Sequence, residues 1–260
     1  MTSVKRKLAD NQPVIGTFGK FSSPTAVEIL GYLGFDFVIL DMEHSSLDYS
    51  QIEHLIQAAD AAGISTVVRV PGSEESPILR VLDTGSQGIQ APGVDSPEAA
   101  RKVVEAARYQ PLGSRGLSYS TRAARYTLKD KGQHLLACEQ EQLVVVQIES
   151  KEGMDNIEEI GQVAGIDVLF LGPADLSNSL GIPGQTNHPL VQAALKRLCD
   201  VAKRYGKTAG TFVANREQAA RALAAGVRYL AYDNDVSFFV QGSRTVLKEV
   251  KSLLKEQEAI

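Results

Sequence analysis

Two short apolar runs, Leu143 to Ile148 (LVVVQI) and Val168 to Leu171 (VLFL), each lead toward a carboxylate: Glu149 directly after the first, Asp175 after the Gly-Pro-Ala that follows the second. Runs of this length suit buried parallel strands better than helices. On neighbouring strands the two acids emerge at the same end, and the two-residue strand period sets Gln147 on the same face as Glu149. Two carboxylates in one pocket repel each other. A divalent cation with oxygen ligands, Mg²⁺ or Mn²⁺, relieves that repulsion, with water and substrate completing its shell. The plainer alternative makes both acids polar strand ends that cap the next helices, and for Asp175 alone GPADL is also a good helix start. Taken as a pair, the acids favour the metal.

Chemistry beside such an ion needs a proton carrier and a fixed positive charge. The segment LDMEHSS supplies Asp41, Glu43 and His44, and VVRVP supplies Arg69. Of the four histidines, only His44 follows a strand-like run and can move protons near neutrality. His54 and His134 read as helix-surface residues, and His188 as a helix start. Arg69 either holds an oxyanion or carboxylate or forms a buried ion pair with Asp41 or Glu43; position alone supports both equally. Backbone N–H groups of Ala174 and Asp175, at a helix start, suit a substrate carboxylate. Together these groups describe enolate chemistry on a 2-oxo acid. The cation polarises the carbonyl, His44 relays the proton and Arg69 balances the developing charge. A Schiff-base route through Lys20 or Lys151 ranks second. The segments AGTFVAN and LAYDND lack a glycine-rich phosphate cradle, which argues against a phosphorylated substrate.

The elements that must position these residues alternate along the chain. Strands are expected at Val14 to Gly19, Phe37 to Met42, Thr66 to Val70, Gly88 to Ala91, Leu143 to Ile148, Val168 to Leu171, Ala209 to Val213 and Tyr229 to Tyr232. Helical patterns begin near Pro24, Ser50, Ser76, Ser96, Lys151, His188, Asn215 and Ser237, and Ser3 to Asp10 forms a short lid across the closed end. This strict alternation predicts an α/β fold, a (β/α)₈ TIM barrel forming one domain over residues 1–260. No Gly-x-Gly-x-x-Gly follows the first strand, which disfavours an open doubly wound sheet. The connection from Tyr109 to Gln142 is long for this architecture, and such insertions serve function or assembly. Its Arg115, Arg122 and Arg125 are read as lining the mouth of the site or pairing at a subunit interface, with both alternatives open.

A net charge of −4 and a pI near 5.7 offer no electrostatic footprint for nucleic acid or an anionic membrane. The expected partners are a small 2-oxo acid and an aldehyde. Cys138 and Cys199 lack metal-type spacing and fit a reducing cytoplasm without disulfides. No apolar run approaches the roughly 20 residues of a membrane span, so a cytoplasmic location is expected.

The segments GFDFVILDMEHSS, VVRVP, RYQPLGSRG, VVVQIES, LFLGPADLS and NHPLVQAAL together make the chain resemble the HpcH/HpaI aldolase family over nearly its whole length. The family comprises metal-dependent class II pyruvate aldolases typified by 2,4-dihydroxyhept-2-ene-1,7-dioate aldolase. The resemblance implies a barrel of the phosphoenolpyruvate/pyruvate superfamily type, a cofactor of Mg²⁺, Mn²⁺ or Co²⁺, and a homo-oligomer, often a hexamer that exchanges its last helix. It implies retro-aldol cleavage of a 4-hydroxy-2-oxo acid, from sugar-acid or aromatic breakdown, to pyruvate and an aldehyde. By the same resemblance His44 is the general base, Arg69 stabilises the transition state, and Asp83 raises the basicity of the histidine. Glu149 and Asp175 are then the metal ligands, and Gln147, Ala174 and Asp175 contact substrate. Departures from the family pattern fall at Met42, at Phe18 where Trp is frequent, at Lys20 in place of a small or apolar residue, and at AYDND. They bear on the aldehyde side of the pocket. The DMEH variant also fits an oxaloacetate-decarboxylating activity of the macrophomate synthase type, and a non-catalytic metabolite-binding barrel is the third possibility.

Overall fold

The apolar runs form eight strands, β1 (Val14–Gly19), β2 (Phe37–Asp41), β3 (Ser65–Arg69), β4 (Gly88–Ala91), β5 (Leu143–Ile148), β6 (Val168–Leu171), β7 (Thr208–Val213) and β8 (Tyr229–Asn234). In the computed structural model, which describes residues 3–258, they pair in parallel in chain order, and β8 returns to β1 to close the barrel. The expected (β/α)₈ architecture is therefore the one found. Strand ends differ from expectation by a residue or two, and β8 runs on to Asn234.

Around the barrel lie α1 (Val4–Ala9), α2 (Pro24–Tyr32), α3 (Tyr49–Ala62), α4 (Glu75–Asp83), α5 (Pro97–Ala107), α6 (Lys131–Glu141), α7 (Lys151–Asp155), α8 (Ile157–Gln162), α9 (Pro173–Ser179), α10 (Pro189–Arg204), α11 (Arg216–Ala225) and α12 (Asp235–Glu258). Their starts follow local chemistry. Ser23, Asp48, Ser96, Ser150 and Asn215 each accept a hydrogen bond from an otherwise orphaned first-turn N–H, and Pro24, Pro97, Pro173 and Pro189 stand at the first turn where no donor is needed.

Alternation along each strand divides the apolar residues between two cores. Phe37, Ile39, Val67, Val145, Val168, Phe170 and Tyr229 fill the barrel, and Val4 and Leu8 of α1 plug its lower end. Phe37 stacks on Tyr229 with ring centroids 4.2 Å apart. Val38, Leu40, Val68, Ile89, Val144, Val146, Ile148 and Leu169 face outward into the helix layer. The inward phase places Asp41, Arg69, Gln90 and Gln147 as a polar layer at the carboxyl end, with Arg69 in register with both Asp41 and Gln90.

The insertion between α5 and β5 departs from expectation. It contains α6 and a short 3-10 turn at Arg122–Ala124, and within one chain Arg115 and Arg122 do not line the mouth of the barrel, the first of the two placements expected for them. Arg115 pairs with Asp83 at 2.7 Å and Arg122 with Asp60 at 2.6 Å, both partners lying near the C-terminal ends of their helices. His134 is not a surface residue either: it is buried at 1 % exposure, packed edge-on against Tyr109 and Tyr119. One turn further along, Cys138 shares the buried face of α6 with the imidazole. His54 is exposed, and His188 caps α10 by accepting from the Leu190 N–H. Cys138 and Cys199 are buried and free. Among the described residues no helix is long and apolar enough to cross a membrane.

Candidate active site

At the carboxyl ends of the strands a cavity of about 200 Å³ is lined by Phe18, Lys20, His44, Arg69, Gln147 and Asp175, with Phe170, Ala174, Phe212 and Asn234 completing its walls. Larger clefts of about 750 and 690 Å³ flank α1 at the opposite end. There Lys5 is already engaged by Asp167 and by the Gln142 carbonyl. Size therefore does not mark the site; the convergence of polar groups on strand carboxyl ends does.

Arg69 forms the buried ion pairs that were one of the two arrangements expected for it. Its Nε and Nη2 donate to the two Asp41 oxygens at 2.9 and 2.7 Å, Nη1 lies 3.1 Å from Glu43 Oε2, and its guanidinium carbon sits 4.8 Å from the centre of the Phe18 ring. It still borders the cavity. Burial pushes the Asp41 carboxyl upward, but the Arg69 hydrogen bonds and charge outweigh it and hold Asp41 below the usual carboxylate range. Glu43 goes the other way, raised by burial against the opposing pull of Arg69 and His44.

Glu149 projects inward from the end of β5 beside Gln147. It accepts from the Gly93 N–H at 2.8 Å and from the Gln147 side chain. Gln147 is oriented in turn by Gln90 at 2.6 Å. Two glycines make this possible. A Cβ at Gly172 would stand 2.7 Å from Glu149 Oε2, and Gly93 has φ +60°, which frees its N–H to point at the carboxylate. Burial, reinforced by the charges of Asp175 and Glu43 and opposed by the bonds from Gln147 and Gly93, raises Glu149 from the usual 4.5 to about 7.

A divalent ion beside these acids would hold Glu149 ionised. Among the described residues no group of three or more His, Cys, Asp or Glu side chains is arranged to hold a metal alone. Glu149 and Asp175, both oxygen donors, would suit a hard ion that keeps water or substrate in its remaining positions.

Without metal, the Glu149 shift gives a signed effect on stability. The folded state retains the proton up to about pH 7, whereas the unfolded chain loses it above about 4.5, so this group destabilises the fold progressively as pH rises through that window. With metal chelated, Glu149→Gln is expected to match wild type at pH 4 and exceed it by roughly 3 kcal/mol at pH 8. Thermal melts at the two pH values check this; equal melting at pH 8 would exclude the perturbed carboxyl.

His44 is more open, its side chain 56 % exposed, with Nε2 3.9 Å from Glu43 Oε2 and its backbone N–H on Asp41 Oδ1. Asp83 is not among these residues. It ends α4, next to the turn in which Gln87 bonds to Thr66 at the start of β3, and its partner is Arg115. Within one chain it does not meet His44. Lys151 pairs with Asp155 on the surface. Phe18 was expected at the pocket, whereas Gln90, Gly93, Gly172, Phe170 and Phe212 join the site without a sequence expectation. A glutamine inside the short apolar run GIQA was a usable signal, whereas the glycines reveal their role only against Glu149.

The molecule is thus a (β/α)₈ barrel with acids, an imidazole and a buried guanidinium gathered at the strand carboxyl ends. The chain belongs to the HpcH/HpaI aldolase/citrate lyase family, whose model matches residues 15–241. It is 34 % identical over 255 residues to a hydroxypyruvate/pyruvate aldolase of Paraburkholderia phytofirmans, covering 96 % of this chain and 97 % of that protein. It is 36 % identical over 236 residues to a 5-keto-4-deoxy-D-glucarate aldolase of Shigella dysenteriae, covering 90 % and 91 % respectively. A crystal structure of an HpcH/HpaI aldolase/citrate lyase family protein from Burkholderia cenocepacia superposes with a TM-score of 0.90 at 33 % identity, covering 95 % of this chain and 98 % of that one.

Proposed function

We propose that the chain is a divalent-metal-dependent carbon–carbon lyase that reversibly cleaves a 4-hydroxy-2-oxo acid to pyruvate and an aldehyde. One observation carries the reading: His44, Arg69, Gln147 and Asp175 border one cavity, with Glu149 bonded to Gln147 and its carboxyl raised by burial and the Asp175 charge. Relatives named hydroxypyruvate/pyruvate aldolase and 5-keto-4-deoxy-D-glucarate aldolase, matched along nearly their whole length, support the same reaction class.

Glu149 and Asp175 would hold the ion, which supplies Lewis-acid polarisation of the 2-oxo carbonyl and charge stabilisation on its oxygen. Gln147, pinned by Gln90, and the Ala174 backbone orient the oxo acid. His44 takes the proton from the 4-hydroxyl as the C3–C4 bond breaks. The bonding electrons pass to the oxo-acid half as the enolate, and the aldehyde leaves. Return of a proton to C3 completes pyruvate, and the openness of His44 lets that proton exchange with solvent. Arg69, held rigid by Asp41, meets developing charge with no reorganisation.

A Schiff-base route is less well supported, because it needs a neutral amine. Lys20 instead lies 3.2 Å from the buried Asp41 carboxylate, and Lys151 is surface-paired. The proposed protein is a homo-oligomer: α12 carries exposed Phe239, Val246, Leu247, Val250, Leu253 and Leu254, an apolar surface suited to another copy of the chain.

Exchange of the pyruvate methyl protons with deuterated water tests the reading without an aldehyde. Metal-dependent exchange is expected in wild type and loss of about a hundredfold or more in His44→Ala. No exchange in wild type, or undiminished exchange in the variant, would sink the mechanism.

A further inference from the structure

We propose that Lys20 selects the aldehyde half of the substrate, donating from its ammonium to a carboxylate on the fragment that leaves; this rests on the lyase reading above. Three observations meet at this residue. The inward phase of β1 carries from Phe18 to position 20, so the side chain enters the cavity from the wall formed by β1, β7 and β8, with Phe18, Phe212 and Asn234 beside it. Glu149 stands on β5, away from that wall. Gln147, Asp175 and Lys20 line one cavity, so a ligand held at the first two shares that space with the Lys20 side chain.

The donor count comes second. An ammonium has three N–H groups. One faces Asp41 Oδ2 at 3.2 Å and one the His44 carbonyl at 3.4 Å, and among the described residues no other partner takes the third. Arg69 already bonds both Asp41 oxygens, so Lys20 adds a charge contact to Asp41 without being needed to satisfy them. Asn234, the neighbouring polar group on this wall, is uncharged, and it is held by Asp233, to which its amide nitrogen donates, and by the Ser237 N–H, from which its oxygen accepts. Lys20 is therefore the positive charge on an otherwise aromatic wall that has capacity left for a ligand.

Third, the backbone at this position is fixed. Both oxygens of Asp235 accept from the Lys20 N–H at 3.0 Å, and one also accepts from Phe21 at 2.9 Å. Asp235 is itself 8 % exposed and opens α12. A cation on a pinned backbone beside aromatic neighbours discriminates between a ligand that supplies an anion and one that offers only a methyl group.

The test uses two five-carbon probes that lack the 4-hydroxyl and so cannot be cleaved: 2-oxoglutarate, with a distal carboxylate, and 2-oxopentanoate, with a methyl group there. Calorimetric titration of the full-length protein in Mg²⁺ is expected to show wild type preferring 2-oxoglutarate. Lys20→Met should lower that preference about tenfold to hundredfold, and Lys20→Arg should retain part of it. An unchanged ratio in Lys20→Met, or no preference in wild type, overturns the assignment. Because the probes bind without reacting, failure of pyruvate exchange would remove the proposed reaction and leave this result readable on its own.

Discussion

Glu149→Ala is expected to lose the divalent cation and the lyase activity together while the barrel remains folded. With Asp175 it is one of the two acids proposed to hold the ion, and Asp175 without it would hold a hydrated ion weakly. Lewis-acid stabilisation is worth several kcal/mol, so a fall on the order of a thousandfold in kcat/KM follows. Folding should not suffer, because Glu149 is a buried acid raised to about 7 without metal, and its removal relieves repulsion. Asp175→Ala should behave alike. Mn²⁺ titration by calorimetry, with circular dichroism melts alongside, separates the two effects. Wild-type metal affinity in either variant would show that the pair is not the ligand set.

The second large effect is expected at Arg69, and it falls on stability as well as on catalysis. Asp41 is fully buried, and two Arg69 donors satisfy its oxygens. Arg69→Met leaves that carboxylate with Lys20 at 3.2 Å and the Glu43 and His44 N–H groups at 3.2 Å. Breaking a buried pair on one side costs about 3–5 kcal/mol, with the lower part of that range expected here because Lys20 remains. Arg69→Lys should recover part of the stability but little of the activity, since an ammonium cannot bridge Asp41 and Glu43 while facing the cavity as the planar fork does. Urea unfolding and steady-state kinetics on both variants test this. Near-wild-type turnover in Arg69→Lys would make Arg69 purely structural.

Much of the candidate site was legible because strands impose a two-residue period. Once VVVQIE was taken as a buried strand, Gln147 and Glu149 had to share a face, and Asp41 and Arg69 were marked by standing at the ends of strand-like runs. His44 could be singled out for the same reason, since the other three histidines stand on or at the start of helices. The burial of His134 was not legible: helical phase alone does not reveal that the insertion folds back over α6. Asp83 carried no local signal either, and its bond to Arg115 spans 32 positions.

Local sequence determined the alternation of strands and helices, most of the helix starts and the inward phase of each strand, because propensity, capping and periodicity act over a few residues. Only the closed tertiary structure decided which inward groups touch. It set Arg69 between Asp41 and Glu43, brought Gly93 and Gly172 up to the Glu149 carboxylate, and turned Lys20 toward Asp41 with a donor to spare. Those contacts depend on strand order, register and barrel closure, which join residues far apart in the chain, and burial then sets the charge state of each group through neighbours that no local pattern specifies.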